Sequence, residues 1–110
     1  MDNNFDILLL NEASEFIEEQ SIKAQKKIVY NLQKARKVND PKLFKKLNDV
    51  IWEFRTEFAG QQYRLFAFWD DSRKAFVVCT HGIIKKSKRT PKKEITKAEK
   101  IRNTYLNKRD

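Results

Sequence analysis

The stretch IWEFRTEFAGQQYRLFAFWDDS, residues 51–72, carries the clearest structural pattern in the chain. Its first six residues alternate, so an extended backbone puts Trp52 and Phe54 on one face and Glu53 and Arg55 on the other. Polar and apolar residues that alternate in this way are typical of a strand with one buried face. The sequence therefore predicts a strand over residues 51–56.

The residues that follow predict two more strands joined by short turns. Gly60 marks the first turn, residues 63–69 form the second strand, and residues 70–72 form the next turn. Residues 75–84 are rich in β-branched and aromatic side chains and predict a third strand. Three strands with such short connections indicate an antiparallel meander.

The amino-terminal part of the chain predicts a strand followed by two helices. Residues 5–10 form a short apolar run, read as the opening strand. Asn11 is predicted to cap a first helix, and Ser21 a second helix that extends to residue 37. The apolar positions at helical spacing are Ala13, Phe16 and Ile17 in the first helix, and Ile22, Ile28, Val29, Leu32 and Ala35 in the second.

Two proline signals predict the remaining helices. Asp40-Pro41 predicts a restart, with one or two helical turns carrying Leu43, Phe44 and Leu47. Thr90-Pro91 is predicted to cap a last helix, with Ile95, Ala98, Ile101 and Tyr105 on its inner stripe.

The predicted order β-α-α-β-β-β-α places the chain in the α+β class, as one domain over residues 1–110. The helical hairpin of residues 11–37 is expected to cover one face of the sheet. The other face is expected to be open, concave and lined with arginine and lysine.

Charge is the strongest compositional signal. The 110 residues carry a net charge of +9, with six acids and no base in residues 1–20 and eleven bases against three acids in residues 85–110. This asymmetry favours a polyanionic partner, either nucleic acid or an acidic protein segment, although a solvated charged face remains the alternative.

The single cysteine, Cys79, excludes an internal disulfide and fits a reducing cytosol. The acidic start and the lack of a long apolar segment argue against a signal peptide, a membrane span or membrane association.

Three blocks carry a family resemblance: KLNDVIWEFR at 46–55, YRLFAFWD at 63–70, and HGIIKKSKRTPKKEI at 81–95 followed by Ala98. In this order they resemble the RelE/HigB superfamily of type II toxins, and the lysine pair before Thr-Pro and a helix resembles its phage-derived branch. The resemblance implies a β-α-α-β-β-β fold and cleavage of mRNA on the ribosome with no metal or cofactor. It also implies a cytoplasmic protein whose partners are the ribosome, mRNA and a cognate antitoxin with a HigA-like helix-turn-helix domain.

The implied reaction is attack of a ribose 2′-OH on the adjacent phosphate, which needs a base, an acid and cations. Arg64 and Arg55, on neighbouring predicted strands, are candidates for holding the phosphate, and the alternative is structural pairing with Glu53 or Glu57. Lys85 and Lys86 are further catalytic candidates that point to opposite faces of an extended strand. The residues expected to grip RNA phosphates, or else to form a solvated charge run, are Lys88, Arg89, Lys92 and Lys93.

His81, the single histidine, is a candidate for proton transfer, although a lone histidine is more often structural. Strand parity puts it on the face of Val77 and Cys79. Tyr63 and Tyr105 are weaker proton donors in this interpretation. The chain lacks the cluster of His, Asp and Tyr that HigB proteins use, and it offers no set of metal ligands. The identity of the general base therefore stays open.

Two other functions fit the same sequence. ParE-type relatives share the fold but inhibit DNA gyrase, since fold does not determine function. A nucleic-acid-binding module without enzymatic activity is the second alternative. Retention of Arg64 with the pair Lys85-Lys86 favours the ribonuclease.

Overall fold

A twisted sheet of five strands with three helices forms the framework of the protein. The computed structural model describes residues 5–108. The elements along the chain are β1 (Asp6–Leu9), α1 (Asn11–Glu18), α2 (Ile22–Ala35), β2 (Phe44–Lys46), β3 (Trp52–Phe58), β4 (Gln61–Trp69), β5 (Phe76–Lys85) and α3 (Lys92–Lys108). The α+β class and the central meander are therefore confirmed. Residues 1–4 and 109–110, which include the charged residues Asp2, Arg109 and Asp110, lie outside the described residues.

The strands lie in the order β1-β5-β4-β3-β2. The pairs β5-β4, β4-β3 and β3-β2 are antiparallel, whereas β1 runs parallel to β5. The tight turn between β3 and β4 contains Ala59 and Gly60, whose φ angles are 50° and 79°. The left-handed backbone conformation at Gly60 explains why glycine marks this turn in the sequence.

Helices α1 and α2 cover one face of the sheet, which we call the hairpin face. Its core contains Phe54, Leu65 and Val77 from the strands. The predicted stripe of α2 is correct at Ile28, Leu32 and Ala35, which are buried together with Ala24. It is wrong at Ile22 and Val29, which are 66% and 44% exposed, because the side of α2 that faces the sheet is narrower than the apolar pattern.

The opposite face, which we call the α3 face, is not open as the sequence predicted. Helix α3 packs on it through Ala98, and a second core of Ile51, Phe66, Phe68 and Val78 fills the contact. The meander has apolar side chains on both of its faces, so a cover on one side alone leaves Phe66 and Phe68 in water. Cations still line this face beyond the amino-terminal end of α3.

Residues 44–46 form a strand where the sequence predicted helical turns. They pair with residues 52–54 of β3. The ring of Phe44 stacks on Phe54 and on Trp52, with centroid distances of 4.2 and 4.7 Å. The gain from this aromatic packing outweighs the local helical signal of Asp40-Pro41, which is why the prediction is wrong here.

Of the helix caps predicted at Asn11, Ser21 and Thr90, the one at Ser21 is confirmed. Ser21 accepts a hydrogen bond from the backbone of Ala24 and caps α2. Asn11 is instead the first residue of α1, and Leu10 stands at the N-cap position without a side-chain hydrogen bond. Thr90 lies two residues before the first residue of α3, Lys92, and its hydroxyl donates to the carboxylate of Glu53 on β3.

Candidate active site

A buried carboxylate between two arginines lies at the centre of the α3 face. Glu53 and Arg55 come from β3, and Arg64 on β4 lies directly opposite Arg55 in the strand pairing. The Nε atom of Arg55 is 3.7 Å from Glu53 Oε2, and the Nε atom of Arg64 is 3.8 Å from Glu53 Oε1. Thr90, just before α3, donates its hydroxyl to the same carboxylate at 3.1 Å. Glu53 thus reduces the repulsion between two facing guanidinium groups and ties them to the start of α3.

Arg64 is held in place by its neighbours on β4. It is 3% exposed, and its Nη atoms donate to the carbonyl of Tyr63 at 3.0 Å and to the side chain of Gln62 at 3.1 Å. Burial lowers the pKa of Arg64, while the charge of Glu53 opposes this change. Guanidinium nevertheless stays protonated in proteins. Arg64 is therefore a fixed positive charge inside the molecule.

The Nε atoms of both arginines keep a free donor. Within residues 5–108, neither Arg55 Nε nor Arg64 Nε makes a hydrogen bond, although both are buried. Their distances to Glu53 are those of an ion pair and exceed hydrogen-bonding range. The ion pairs with Glu53, which were the alternative to a catalytic role, are thus present. Even so, the Nε–H group of each arginine has no hydrogen-bond acceptor in the described residues.

Lys85 ends β5 on the same face as the arginines, opposite Gln62 in the pairing with β4. Burial lowers the pKa of its ammonium group, and the charge of Arg64 lowers it further; the charge of Glu53 opposes this change, while Arg55 acts in the same direction as Arg64. The crowding by cations that would make this lysine a base is thus present in the structure. Lys86 is exposed and continues the basic surface beyond the strand.

A groove runs beside Arg64 at this end of the sheet, and we call it the lysine groove. Its volume is about 590 Å³. Basic side chains from two elements meet there: Arg64 from β4, and Lys85, Lys86 and Lys88 from the end of β5 and the loop that follows. The remaining predicted RNA-binding residues, Arg89, Lys92 and Lys93, are exposed and stand outside this lining.

A second groove, which we call the α2 groove, lies on the other side of Arg64. It has a volume of about 400 Å³ and runs between α2 and β3. Gln62 and Arg64 line both grooves. The residues that sequence reasoning missed in this region are Lys27, Tyr30, Lys34, Lys42, Glu53 and Gln62.

His81 belongs to a separate cluster under α3. Its Nε2 lies 3.0 Å from Glu94 Oε1, its Nδ1 lies 2.9 Å from Thr80 Oγ1, and its ring stacks on Phe66. The predicted face is wrong. Ala67 pairs with Cys79 and Phe66 pairs with His81, so Thr80 is an extra residue in β5. Such a bulge reverses the alternation of side chains and turns His81 toward α3.

We expect His81 to make the stability of the protein depend on pH. Burial lowers its pKa from the ordinary 6.5, although the hydrogen bond to Glu94 opposes this and the charges of Lys97 and Glu12 act in opposite directions. The unfolded chain therefore takes up this proton at a higher pH than the folded chain. The contribution of His81 is fully present above its unfolded pKa and is lost as the pH falls through the folded value.

Urea unfolding midpoints measured between about pH 8 and pH 5 check this expectation. The wild-type midpoint should fall more steeply with decreasing pH than that of His81→Gln, which lacks a titrating ring. Parallel curves for the two proteins would mean that His81 does not contribute.

The other candidates from the sequence have structural contacts. Tyr63 is buried in the core of the hairpin face. Tyr105 donates to Asp70 Oδ2 at 2.8 Å and packs against Phe68, toward the opposite end of β4 from Arg64. Burial raises the pKa of the Cys79 thiol.

No group of three potential metal ligands of the His, Cys, Asp or Glu type is found in the described part of the chain. None of its described helices is long and apolar enough to cross a membrane.

The comparison with known protein families covers most of the chain. Residues 15–103 match the family model described as Phage derived protein Gp49-like (DUF891). No curated protein matches the chain. The matched region begins in α1 and ends within α3, so it includes the Glu53–Arg55–Arg64 cluster and both grooves. The chain therefore belongs to the Gp49-like family of phage-derived proteins.

Proposed function

We propose that this protein is the toxin of a type II toxin–antitoxin system and that it cleaves mRNA on the ribosome. Family membership supports the first part, because the Gp49-like family is associated with RelE-like toxins of such systems. The five-stranded α+β fold is compatible with a RelE-like fold. Cleavage of RNA is argued from the site itself.

The observation that carries the proposal is the convergence of Arg55, Arg64 and Lys85 on one face, beside a groove lined by further lysines. In the proposed step, the ribose 2′-oxygen attacks the adjacent phosphorus while a base takes its proton. The bond from phosphorus to the 5′-oxygen breaks, and that oxygen takes a proton from an acid or from water, so that the products are a 2′,3′-cyclic phosphate and a 5′-hydroxyl. Negative charge builds up on the phosphate oxygens during this exchange, and fixed cations stabilise it.

Each residue has a distinct role in this proposal. Arg64 and Arg55 direct their guanidinium groups at the phosphate oxygens from the walls of the grooves. Lys85 takes the 2′-OH proton, because its lowered pKa gives it a larger neutral fraction near physiological pH. Lys86 and Lys88 bind the RNA backbone along the groove. His81 has no role in the step, because it is buried and engaged with Glu94.

The proposed partner that inhibits the toxin is an antitoxin with a HigA-like helix-turn-helix domain. Its acidic side chains would cover the lysine groove and replace RNA phosphates there. Binding at this position blocks access to Arg64.

Primer extension on a reporter mRNA, in a translation system of purified components, tests the proposed function. Cuts within the coding sequence that appear when the protein and translating ribosomes are both present support it. A toxic, folded protein that produces no cuts contradicts it and directs the next assay to DNA gyrase.

The base assignment makes a separate prediction. With Lys85 as the base, the single-turnover cleavage rate rises with pH as the amine loses its proton. Lys85→Arg keeps the positive charge but does not deprotonate. We expect this variant to cleave about 100-fold more slowly or worse and to lose the rise with pH.

Lys100→Arg, an exposed change of the same kind on α3, serves as the control and should leave the pH profile unaltered. A pH profile that keeps its shape in Lys85→Arg would assign the base to another group.

A further inference from the structure

The α2 groove is a basic surface to which the sequence had assigned no role. Its cationic side chains come from four places: Lys27 and Lys34 on α2, Lys42 before β2, Arg55 on β3 and Arg64 on β4. Glu57 also lines it and offsets part of this charge. A groove with this excess of positive charge attracts an anionic ligand.

Tyr30 gives the groove a second property. The residue is 59% exposed, and Lys27 Nζ lies 5.3 Å from the ring centroid. The spacing of 27, 30 and 34 places these residues on one side of α2. A flat aromatic surface beside cations is the combination by which proteins bind single-stranded nucleic acid, because bases stack on the ring while the cations hold phosphates.

The two grooves meet at the proposed catalytic arginine. Gln62 and Arg64 line both of them, and Gln62 accepts a hydrogen bond from Arg64 at 3.1 Å. Arg64 itself is 3% exposed, so the wall that the two grooves share is a charge fixed in the protein. A strand that passes from one groove to the other therefore crosses Arg64.

We infer that the α2 groove binds single-stranded RNA next to the phosphate held at Arg64, with Lys27 and Lys34 on phosphates and Tyr30 stacked on a base. The lysine groove holds the strand on the other side of Arg64. This deepens the proposed function and rests on it for the identity of the strand. An acidic protein segment is the less suitable ligand. It would form ion pairs with the lysines, but it has no base to stack on the exposed Tyr30.

Fluorescence anisotropy with labelled single-stranded RNA of about 12 nucleotides tests the inference. Fluorine in place of every 2′-hydroxyl prevents cleavage, so binding is measured apart from catalysis. The double variant Lys27→Gln/Lys34→Gln should reduce the slope of log affinity against log salt by about 1.4, as expected for two lost contacts with a single strand. Tyr30→Ala should weaken binding by about tenfold, whereas Tyr30→Phe should retain it.

The control variant is Lys26→Gln/Lys100→Gln, which removes the same charge at two exposed positions outside both grooves. Equal salt slopes for this control and for Lys27→Gln/Lys34→Gln overturn the inference. So does a wild-type protein that binds a poly-glutamate peptide through Lys27 and Lys34 but does not bind the RNA.

Parallel primer extension separates the two proposals. If wild-type protein cuts mRNA but the Lys27→Gln/Lys34→Gln variant binds RNA like the control, the inference is overturned and the proposed function stands. If Lys27→Gln/Lys34→Gln loses binding as expected but wild-type protein does not cut mRNA, the binding of RNA in the α2 groove is supported and the proposed function is contradicted.

Discussion

Replacement of Arg64 by alanine is expected to slow mRNA cleavage on the ribosome by about 100-fold or more. Its guanidinium is fixed by hydrogen bonds to Tyr63 and Gln62 and by its ion pair with Glu53, so its charge is already in position before RNA binds. A charge that is oriented in advance stabilises the transition state without reorganisation during the reaction. Lysine cannot reproduce the fork of donors. Arg64→Lys should therefore recover only part of the lost rate.

The measurement is the single-turnover rate of cutting on ribosomes programmed with one mRNA. Because Arg64 is buried, each variant also needs an unfolding curve, and the rates are compared at a temperature where all the proteins are folded. Arg73→Ala provides the matched control, since Arg73 is exposed in the turn after β4 and packs on the ring of Phe76. Cleavage by Arg64→Ala at the rate of the control would remove Arg64 from the proposed step.

The parts of the fold that could be predicted from sequence are those in which local pattern and tertiary packing agree. Residues 51–56 alternate, residues 63–69 form a short run that is almost wholly apolar, turn residues separate the two, and both form strands of the meander. The opposite directions of Phe54 and Arg55 also followed from parity, because no bulge interrupts β3. In these segments the buried face and the strand period give the same answer.

Prediction failed where distant contacts decide the structure. Phe44 lies in a strand because Phe54 and Trp52 are available for stacking, and a local window contains neither ring. The face of His81 depends on one extra residue, Thr80, whose insertion becomes visible only when β5 is aligned with β4. Both errors arise because the structure at residues 44 and 80 depends on how their strands pair with β3 and β4, and the local sequence does not show this pairing.

The candidate site was predicted in part for the same reason. Arg55, Arg64 and Lys85 were identified from the sequence, and they lie on one face. Glu53 was considered only as a possible structural partner, although a charged residue between Trp52 and Phe54 in an apolar strand was a usable signal. No role was predicted for the basic residues of α2, since a helical pattern does not show that α2 lies beside Arg64.

Removal of the charge of Glu53 is expected to have the largest effect on stability. Glu53 is 2% exposed and contacts Arg55, Arg64 and the hydroxyl of Thr90. Glu53→Gln keeps the size of the side chain but leaves two facing guanidinium groups without their counter-charge. Loss of one partner from a buried ion pair costs about 3–5 kcal/mol, so we expect the free energy of unfolding to fall by about 3 kcal/mol or more.

Glu57→Gln is the matched control, because Glu57 lies on the same strand and the same face but is exposed. Its free energy of unfolding should stay within about 0.5 kcal/mol of wild type in urea or guanidinium chloride titrations. The double variant Glu53→Gln/Arg64→Met should be more stable than Glu53→Gln alone, since it also removes one of the two unpaired charges. If the two glutamine variants unfold alike, the carboxylate does not hold the arginines, and the orientation of Arg64 must come from its hydrogen bonds to Gln62 and Tyr63 instead.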